Sequence, residues 1–121
     1  MRPSGILLAL VCLPLAAAEL DGEQVYASTC SACHADGKLG APAIGDTKRW
    51  KKLVREGLDD LVPAALGGIR KMPARGGNPQ LSDLEVARGV IFMSRAGGGN
   101  FPEPTATDLA RWRRKAGKHR K

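Results

Sequence analysis

Cysteine and histidine are scarce in this chain of 121 residues, which contains three cysteines and two histidines. Cys30 and Cys33 stand close together, whereas Cys12 lies in an apolar segment near the amino terminus. A structural zinc site usually takes four Cys or His ligands, and outside residues 30–34 only Cys12 and His119 remain. The scarcity therefore argues against a zinc site, and it also leaves no second cysteine pair for a disulfide framework.

Aromatic residues are also few, with one Tyr, two Phe and two Trp. The helical patterning ends near Ala96, so the folded unit covers only residues 19–96. A hydrophobic core of that size is marginal without a staple. We find no strand-like alternation and no internal repeat. The sequence therefore predicts one small helical domain whose core is completed by a bound cofactor.

Long apolar runs are absent as well. The apolar stretch from Ile6 to Leu15 is too short for a membrane-spanning helix, which needs ~20 residues. With Arg2 before it and small residues at 16–18 after it, the stretch predicts a signal peptide over residues 1–18. Val11 is too bulky for lipoprotein processing at Cys12, so we expect this cysteine to leave with the signal. Export to the bacterial periplasm, with no transmembrane segment after cleavage, is the expected localisation.

The chain does contain a Cys-Ser-Ala-Cys-His segment at residues 30–34. Two thiols three positions apart lie about one helical turn apart, where each can form a thioether bond with one haem vinyl group. His34 follows directly, so its imidazole falls beneath the iron. The motif predicts one covalently attached haem c, held through Cys30 and Cys33, with His34 as an iron ligand.

Helix signals surround this motif. A first helix is expected from Asp21, as its N-cap, to Cys33, and a second, capped by Asp46, from Thr47 to about Glu56. A third begins at Asp59 or Asp60 and ends at Leu66. Ser82 with Glu85 forms a capping box for the last helix, which the glycines at 97–99 terminate.

Three segments resemble class I c-type cytochromes, and the cytochrome c5 group in particular. They are Asp21-Gly-Glu-Gln-Val-Tyr26, Gly40-Ala-Pro-Ala-Ile-Gly-Asp46 with Trp50, and Met72-Pro-Ala-Arg-Gly-Gly-Asn78 with Leu81-Ser-Asp83. The resemblance implies the all-α class I cytochrome c fold, with three to four helices around one haem. In that fold the first and last helices cross, and Gly22 would permit a close crossing near Phe92. It also implies that the carbonyl of Pro42 accepts the ring proton of His34.

The second axial ligand of the iron is predicted separately. Met72 lies in a glycine-rich loop, and Pro73 favours an extended backbone that projects the thioether inward. Met93 lies on the inner face of the last helix, where methionine usually packs in the core. His119 lies in a charged tail, and an open or water-bound site is a further alternative. We favour Met72, and the resemblance agrees.

Two further expectations concern Trp50 and the carboxyl-terminal tail. The indole of Trp50 either donates to a haem propionate or packs in the core. Residues 97–121 are interpreted as a flexible linker and a basic tail, in which seven cations fall within the last eleven residues. The rest of the chain after residue 18 has a net charge of −1, with eleven cations and twelve acidic residues.

The predicted function is that of a soluble, monomeric electron carrier rather than an enzyme. His/Met ligation raises the reduction potential and leaves the iron without a site for oxygen. Periplasmic or membrane-bound redox proteins are the expected partners, docking through the basic tail if the tail is more than a solvated segment; nucleic acid is not expected. The alternative is a haem subunit or dedicated electron acceptor of one periplasmic oxidoreductase.

Overall fold

The computed structural model describes residues 2–10 and 18–118. Cys12, most of the predicted signal cleavage region and His119 therefore lie outside the described residues. Residues 2–10 are exposed and have no regular secondary structure. In the described ranges, no helix is long and apolar enough to cross a membrane.

The first helix consists of three consecutive segments: α1 (Gly22–Val25), a π-helical turn (Tyr26–Cys30) and α2 (Ser31–His34). Asp21 is its N-cap, as predicted, and forms a capping box with Gln24. The π-helical turn was not predicted. In it the amide of Ser31 donates to the carbonyl of Tyr26, five residues earlier. The turn ends at the first cysteine of the motif, so it sets how that cysteine is presented.

Helices α3 (Thr47–Glu56) and α4 (Leu58–Gly67) follow one another with a single glycine between them. Asp46 caps α3, accepting the amide of Arg49 at 3.1 Å. Gly57, at φ 83°, ends α3 and also precedes α4. The helix predicted from Asp59 or Asp60 therefore begins slightly earlier, at Leu58. Both acidic residues lie in its first turn, where their negative charge interacts favourably with the positive end of the helix dipole.

Helix α5 (Asp83–Ser94) crosses the first helix, as the resemblance implied. Ser82 and Glu85 form the predicted capping box. A Cβ atom added at Gly22 would lie 2.5 Å from the carbonyl oxygen of Arg88 and 2.9 Å from Cβ of Phe92. Only glycine fits this crossing, so the expectation for Gly22 is confirmed.

A sixth helix, α6 (Ala106–Lys118), occupies the region predicted to be a flexible linker and tail. Here the structure differs from the expectation. Thr105 caps α6, and its hydroxyl accepts the amide of Asp108 at 3.1 Å. Trp112 and Ala116 are buried against α4 and join the main core cluster. The glycine-rich composition and dense charge of residues 97–121 suggested flexibility, but the apolar side chains of α6 pack against α4 and are buried there.

Ionic contacts between α6 and α4 complete this packing. Pro63 lies inside α4 and has no N–H to offer to the carbonyl of Asp59, four residues earlier. The Lys115 ammonium donates to that carbonyl at 2.8 Å, and to the carboxylate of Asp60 at 2.6 Å. The carboxylate of Asp59 accepts from Trp112 Nε1 at 2.7 Å. Lys115 of α6 thus supplies the hydrogen bond that the carbonyl of Asp59 lacks within α4, and it neutralises the charge of Asp60.

Stability should fall in acid because several carboxylates are held ionised by the fold. Amide donation from Ser82 and Leu20 lowers the pKa of Glu85 below its ordinary 4.5, and the Trp112 and Arg111 bonds lower the pKa of Asp59 below 3.8. A depressed folded-state pKa contributes stability above the unfolded value, and that contribution disappears as pH falls through the folded value. We expect the free energy of unfolding, measured by denaturant titration, to decline below about pH 4.5. In Glu85→Gln this decline should be shallower; an identical acid profile would contradict the assignment.

Candidate functional site

One cavity of about 710 Å³ lies between the first helix, α3, α4 and the loop that precedes α5. Its lining is mostly apolar and includes Val25, Leu53, Leu61 and Val90. The site residues predicted from the sequence all line it: Cys30, Cys33, His34, Pro42, Trp50 and Met72. Apolar walls with a few placed polar or sulfur groups suit a large, flat organic cofactor. The donor set and the size of the cavity therefore fit a haem.

His34 is buried and its ring is fixed from behind. Its Nδ1 lies 2.9 Å from the carbonyl oxygen of Pro42. A carbonyl can only accept, so Nδ1 carries the proton and Nε2 keeps a free lone pair. The amide of Ile44 donates to the carbonyl of His34 at 2.6 Å, which ties the same loop to the helix. The contact expected between His34 and Pro42 is thus present, and it selects the tautomer that a metal ligand needs.

Trp50 is buried, but its indole N–H is already used within the protein. It donates to the carbonyl oxygen of Ala43 at 2.9 Å. Of the two alternatives predicted for Trp50, this bond to the adjacent loop and the burial of the ring favour packing in the core, and a contact with a propionate stays a prediction. The rings of Trp50 and His34 are 6.2 Å apart. The bond from Trp50 fixes the position of Ala43, and therefore of the neighbouring Pro42, whose carbonyl holds the ring of His34.

The two motif cysteines are unbridged and lie in partly buried positions. Burial raises the pKa of the Cys30 thiol to about 11. Gly89 of α5 packs beside this sulfur: a Cβ atom added there would lie at ordinary contact distance, 3.5 Å, from Cys30 Sγ, but only 2.9 Å from a methyl group of Val25. The absence of a side chain at Gly89 therefore makes room for Val25. An apolar, neutral sulfur environment suits a thioether and disfavours a reactive thiolate.

Met72 is positioned by a tight hairpin between α4 and a short 3₁₀ turn (Ala74–Gly77). The amide of Met72 donates to the carbonyl of Ile69 at 2.8 Å, and the amide of Ile69 donates back to Met72 at 3.1 Å. Arg70 at the hairpin tip has φ 51°, an uncommon conformation for a residue with a side chain. Met72 is half-buried and lines the cavity. Met93 also lines it, but is 4% exposed within α5, as expected for a core residue.

Sequence reasoning missed three contributors to this site: the carbonyl of Ala43, the hairpin at 69–72 and the fixed position of Arg75. A backbone carbonyl has no side-chain signature, so the first could not be read from composition. Arg75 donates to the carbonyl of Leu81 at 2.9 Å and to the carboxylate of Asp83 at 2.6 Å. These bonds hold the loop after Met72 against the start of α5.

Comparisons with known proteins identify the family of this chain. The model of the family described as cytochrome c oxidase, cbb3-type, subunit III matches residues 17–93. Cytochrome c-555 of Chlorobaculum thiosulfatiphilum is 36% identical over 76 residues, covering 60% of this chain and 88% of the relative. Cytochrome c5 of Ectopseudomonas mendocina is 40% identical over 74 residues, covering 60% and 85%. Helix α6 lies beyond the family match.

Among solved structures, the chain is similar to one titled as an electron transfer complex of nitrite reductase with cytochrome c. The TM-score is 0.60 at 36% identity, over 63% of this chain and 93% of that one. Fold and site together define a c-type cytochrome of class I. The chain belongs to the cytochrome c family matched above, and it resembles the c5 and c-555 members. The predictions of a covalently bound haem c and of an electron carrier rather than an enzyme are confirmed by these relatives.

Proposed function

We propose that this protein carries single electrons between redox proteins of the bacterial periplasm, using one haem c attached through Cys30 and Cys33. His34 and Met72 would supply the protein ligands of the iron. The observation that supports this most directly is that one cavity receives all four side chains. The haem supplies a one-electron ferric/ferrous couple, while the chain's own residues set its potential and its access to water.

The chain's residues each have a limited task in this scheme. Pro42 accepts the Nδ1 proton of His34 and so keeps Nε2 directed to a metal. Met72 supplies a soft, neutral sulfur that favours the ferrous state. The apolar lining around both ligands excludes water and therefore stabilises the state of lower charge. Because the loop carbonyl of Pro42 fixes His34 and the hairpin fixes Met72, little movement of these side chains would accompany a change of redox state.

An extraction experiment tests the attachment. The protein is produced in a bacterium that matures c-type cytochromes and is then treated with acid–acetone. We expect the pigment to stay with the polypeptide in the wild type and to be extractable or absent in Cys30→Ala/Cys33→Ala. A control variant, Ser31→Ala, removes a half-buried hydroxyl within the motif, which donates only to the carbonyl of Ala27, and it should retain the pigment. Extraction of the wild-type pigment would contradict the proposal.

A dedicated role beside one oxidoreductase is the second candidate. The similar cytochrome in the solved complex was crystallised with nitrite reductase, which favours an enzyme handling oxidised or reduced nitrogen compounds as one possible partner class. Stable association distinguishes the two functions. Recovery of a stoichiometric enzyme subunit with the purified protein would favour the dedicated role, whereas a carrier should be recovered alone and react with several partners.

A further inference from the structure

The charge of this protein is distributed differently in space than along the sequence. Most cations of α6 face acidic residues of the folded domain. Arg111 pairs with Asp59 at 2.9 Å, and Lys115 pairs with Asp60 at 2.6 Å. Arg113 approaches Asp83 at 3.4 Å. Three of the five cations of α6 are therefore paired, whereas Arg114 and Lys118 are exposed and make no ion pair among the described residues. Much of the charge of α6 is thus not free surface charge.

Helix α3 shows the opposite arrangement. Its five cations are Lys48, Arg49, Lys51, Lys52 and Arg55, and all five are exposed. Glu56 is the single acidic residue of this helix. Among the described residues, no carboxylate lies within ion-pair distance of any of the five. The unneutralised positive charge of the described chain is therefore concentrated on α3.

This basic helix forms one wall of the haem cavity. Trp50 and Leu53 face inward and line the cavity, and Arg49 lies at its edge. Lys38, Arg70 and Lys71 also line the cavity from the loops and are exposed. Two exposed apolar side chains lie among these loop cations: Leu39, 66% exposed, and Ile69, 44% exposed. Two acidic residues, Glu56 and Asp60, also line the cavity, and Asp60 is paired with Lys115. The mouth of the cavity thus combines a small apolar area with more cations than carboxylates.

We propose that α3, together with the cavity mouth, is the docking surface for an acidic redox protein, and that α6 is not. This inference rests on the proposed function, since it places the docking partner beside the haem. Opposite charge steers encounter and shortens the search for a productive orientation. A lipid surface fits less well. The apolar side chains of α3 are buried or half-buried, and its exposed face presents no apolar residue for insertion among headgroups.

The electron balance of the docked step is simple. One electron leaves the ferrous haem and reduces one oxidised centre of the partner, and the return step reverses it. A usable probe is an acidic blue-copper protein, in which Cu(II) becomes Cu(I) as the haem iron becomes ferric. No proton is transferred and no bond is formed or broken, so the rate of electron exchange reports how the two proteins meet and orient.

Matched charge reversals test the proposal in the holoprotein. Lys48→Glu/Lys52→Glu reverses two exposed cations one turn apart on α3, and Arg114→Glu/Lys118→Glu makes the same net change on exposed positions of α6. At low ionic strength we expect the α3 pair to slow electron exchange with the copper probe about tenfold. The α6 pair should change it by less than about twofold, and both differences should vanish at high salt. Amide shifts in the reduced protein titrated with redox-inert, zinc-substituted probe should map to α3.

Three other results would overturn the docking proposal, and a fourth would contradict the carrier function. Equal slowing by both pairs would mean that only net charge matters, and slowing by the α6 pair alone would assign docking to the tail; either overturns the proposal. Flotation of the wild type, but not the α3 variant, with equimolar phosphatidylcholine–phosphatidylglycerol vesicles, together with no effect on the copper probe, would assign α3 to membranes. A neutral small-molecule reductant should reduce all three proteins equally. Failure of that reaction in the wild type would instead discredit the proposed carrier function.

Discussion

Replacing Met72 with alanine is expected to abolish the weak far-red sulfur-to-iron band and to lower the reduction potential by on the order of 0.1 V. As the iron ligand proposed above, the soft thioether would favour ferrous iron, so its loss should favour the ferric state. Its removal should also leave a coordination position open, and we therefore expect carbon monoxide to bind the reduced variant at neutral pH. Optical spectra in both redox states, with and without carbon monoxide, measure all three effects.

The geometry explains why Met72 rather than Met93 should carry this effect. Met72 ends a two-residue hairpin closed by paired backbone hydrogen bonds with Ile69, so its position is set by the backbone. Met93 is buried in α5 among core residues, and its side chain is held by packing. Met93→Leu is therefore the matched control: it keeps the volume of the side chain and removes a sulfur. It should keep the far-red band. Loss of that band in Met93→Leu, with retention in Met72→Ala, would reverse the assignment.

Local signals in the sequence were sufficient for much of the fold. Caps at Asp21, Asp46 and Ser82 were each predicted from residue type and spacing, and each makes the expected side-chain bond. Capping is a short-range interaction, so it depends little on the rest of the chain. Gly22 was predicted from the resemblance, and the structure gives its physical reason in the contact between the first helix and Arg88.

Features that depend on distant partners could not be predicted in this way. The indole N–H of Trp50 donates to the backbone carbonyl of Ala43, which only the folded loop brings within reach. The cations of α6 looked free because their acidic partners on α4 lie more than fifty residues earlier in the chain. Conversely, the charge of α3 does not stand out in a sum over the segment, because acidic residues elsewhere in the domain balance its five cations. Net charge by segment therefore does not show which cations are paired in the fold.

Replacing Trp112 with alanine is expected to cost about 3–5 kcal/mol of folding free energy, the usual range for a buried aromatic truncated in a core. Trp112 is only 3% exposed and belongs to the main core cluster with Val62 and Leu66 of α4. Its N–H bond to Asp59 would be lost at the same time. Denaturant unfolding, followed by the far-ultraviolet circular dichroism of the holoprotein, measures the change. A flexible tail, by contrast, would tolerate this substitution without a measurable effect.

Two companion variants separate packing from charge in this result. Trp112→Phe keeps most of the apolar contact but removes the N–H, so it should cost only about 1–2 kcal/mol. Arg114→Ala removes an exposed cation of the same helix and should change stability by less than about 0.5 kcal/mol. Because α4 leads directly into the hairpin of Met72, a loosened α6 should also weaken the far-red band at elevated temperature before global unfolding. Equal losses in Trp112→Phe and Trp112→Ala would assign the stability to the Asp59 bond instead, and α6 would then be held by polar contacts rather than by its buried face.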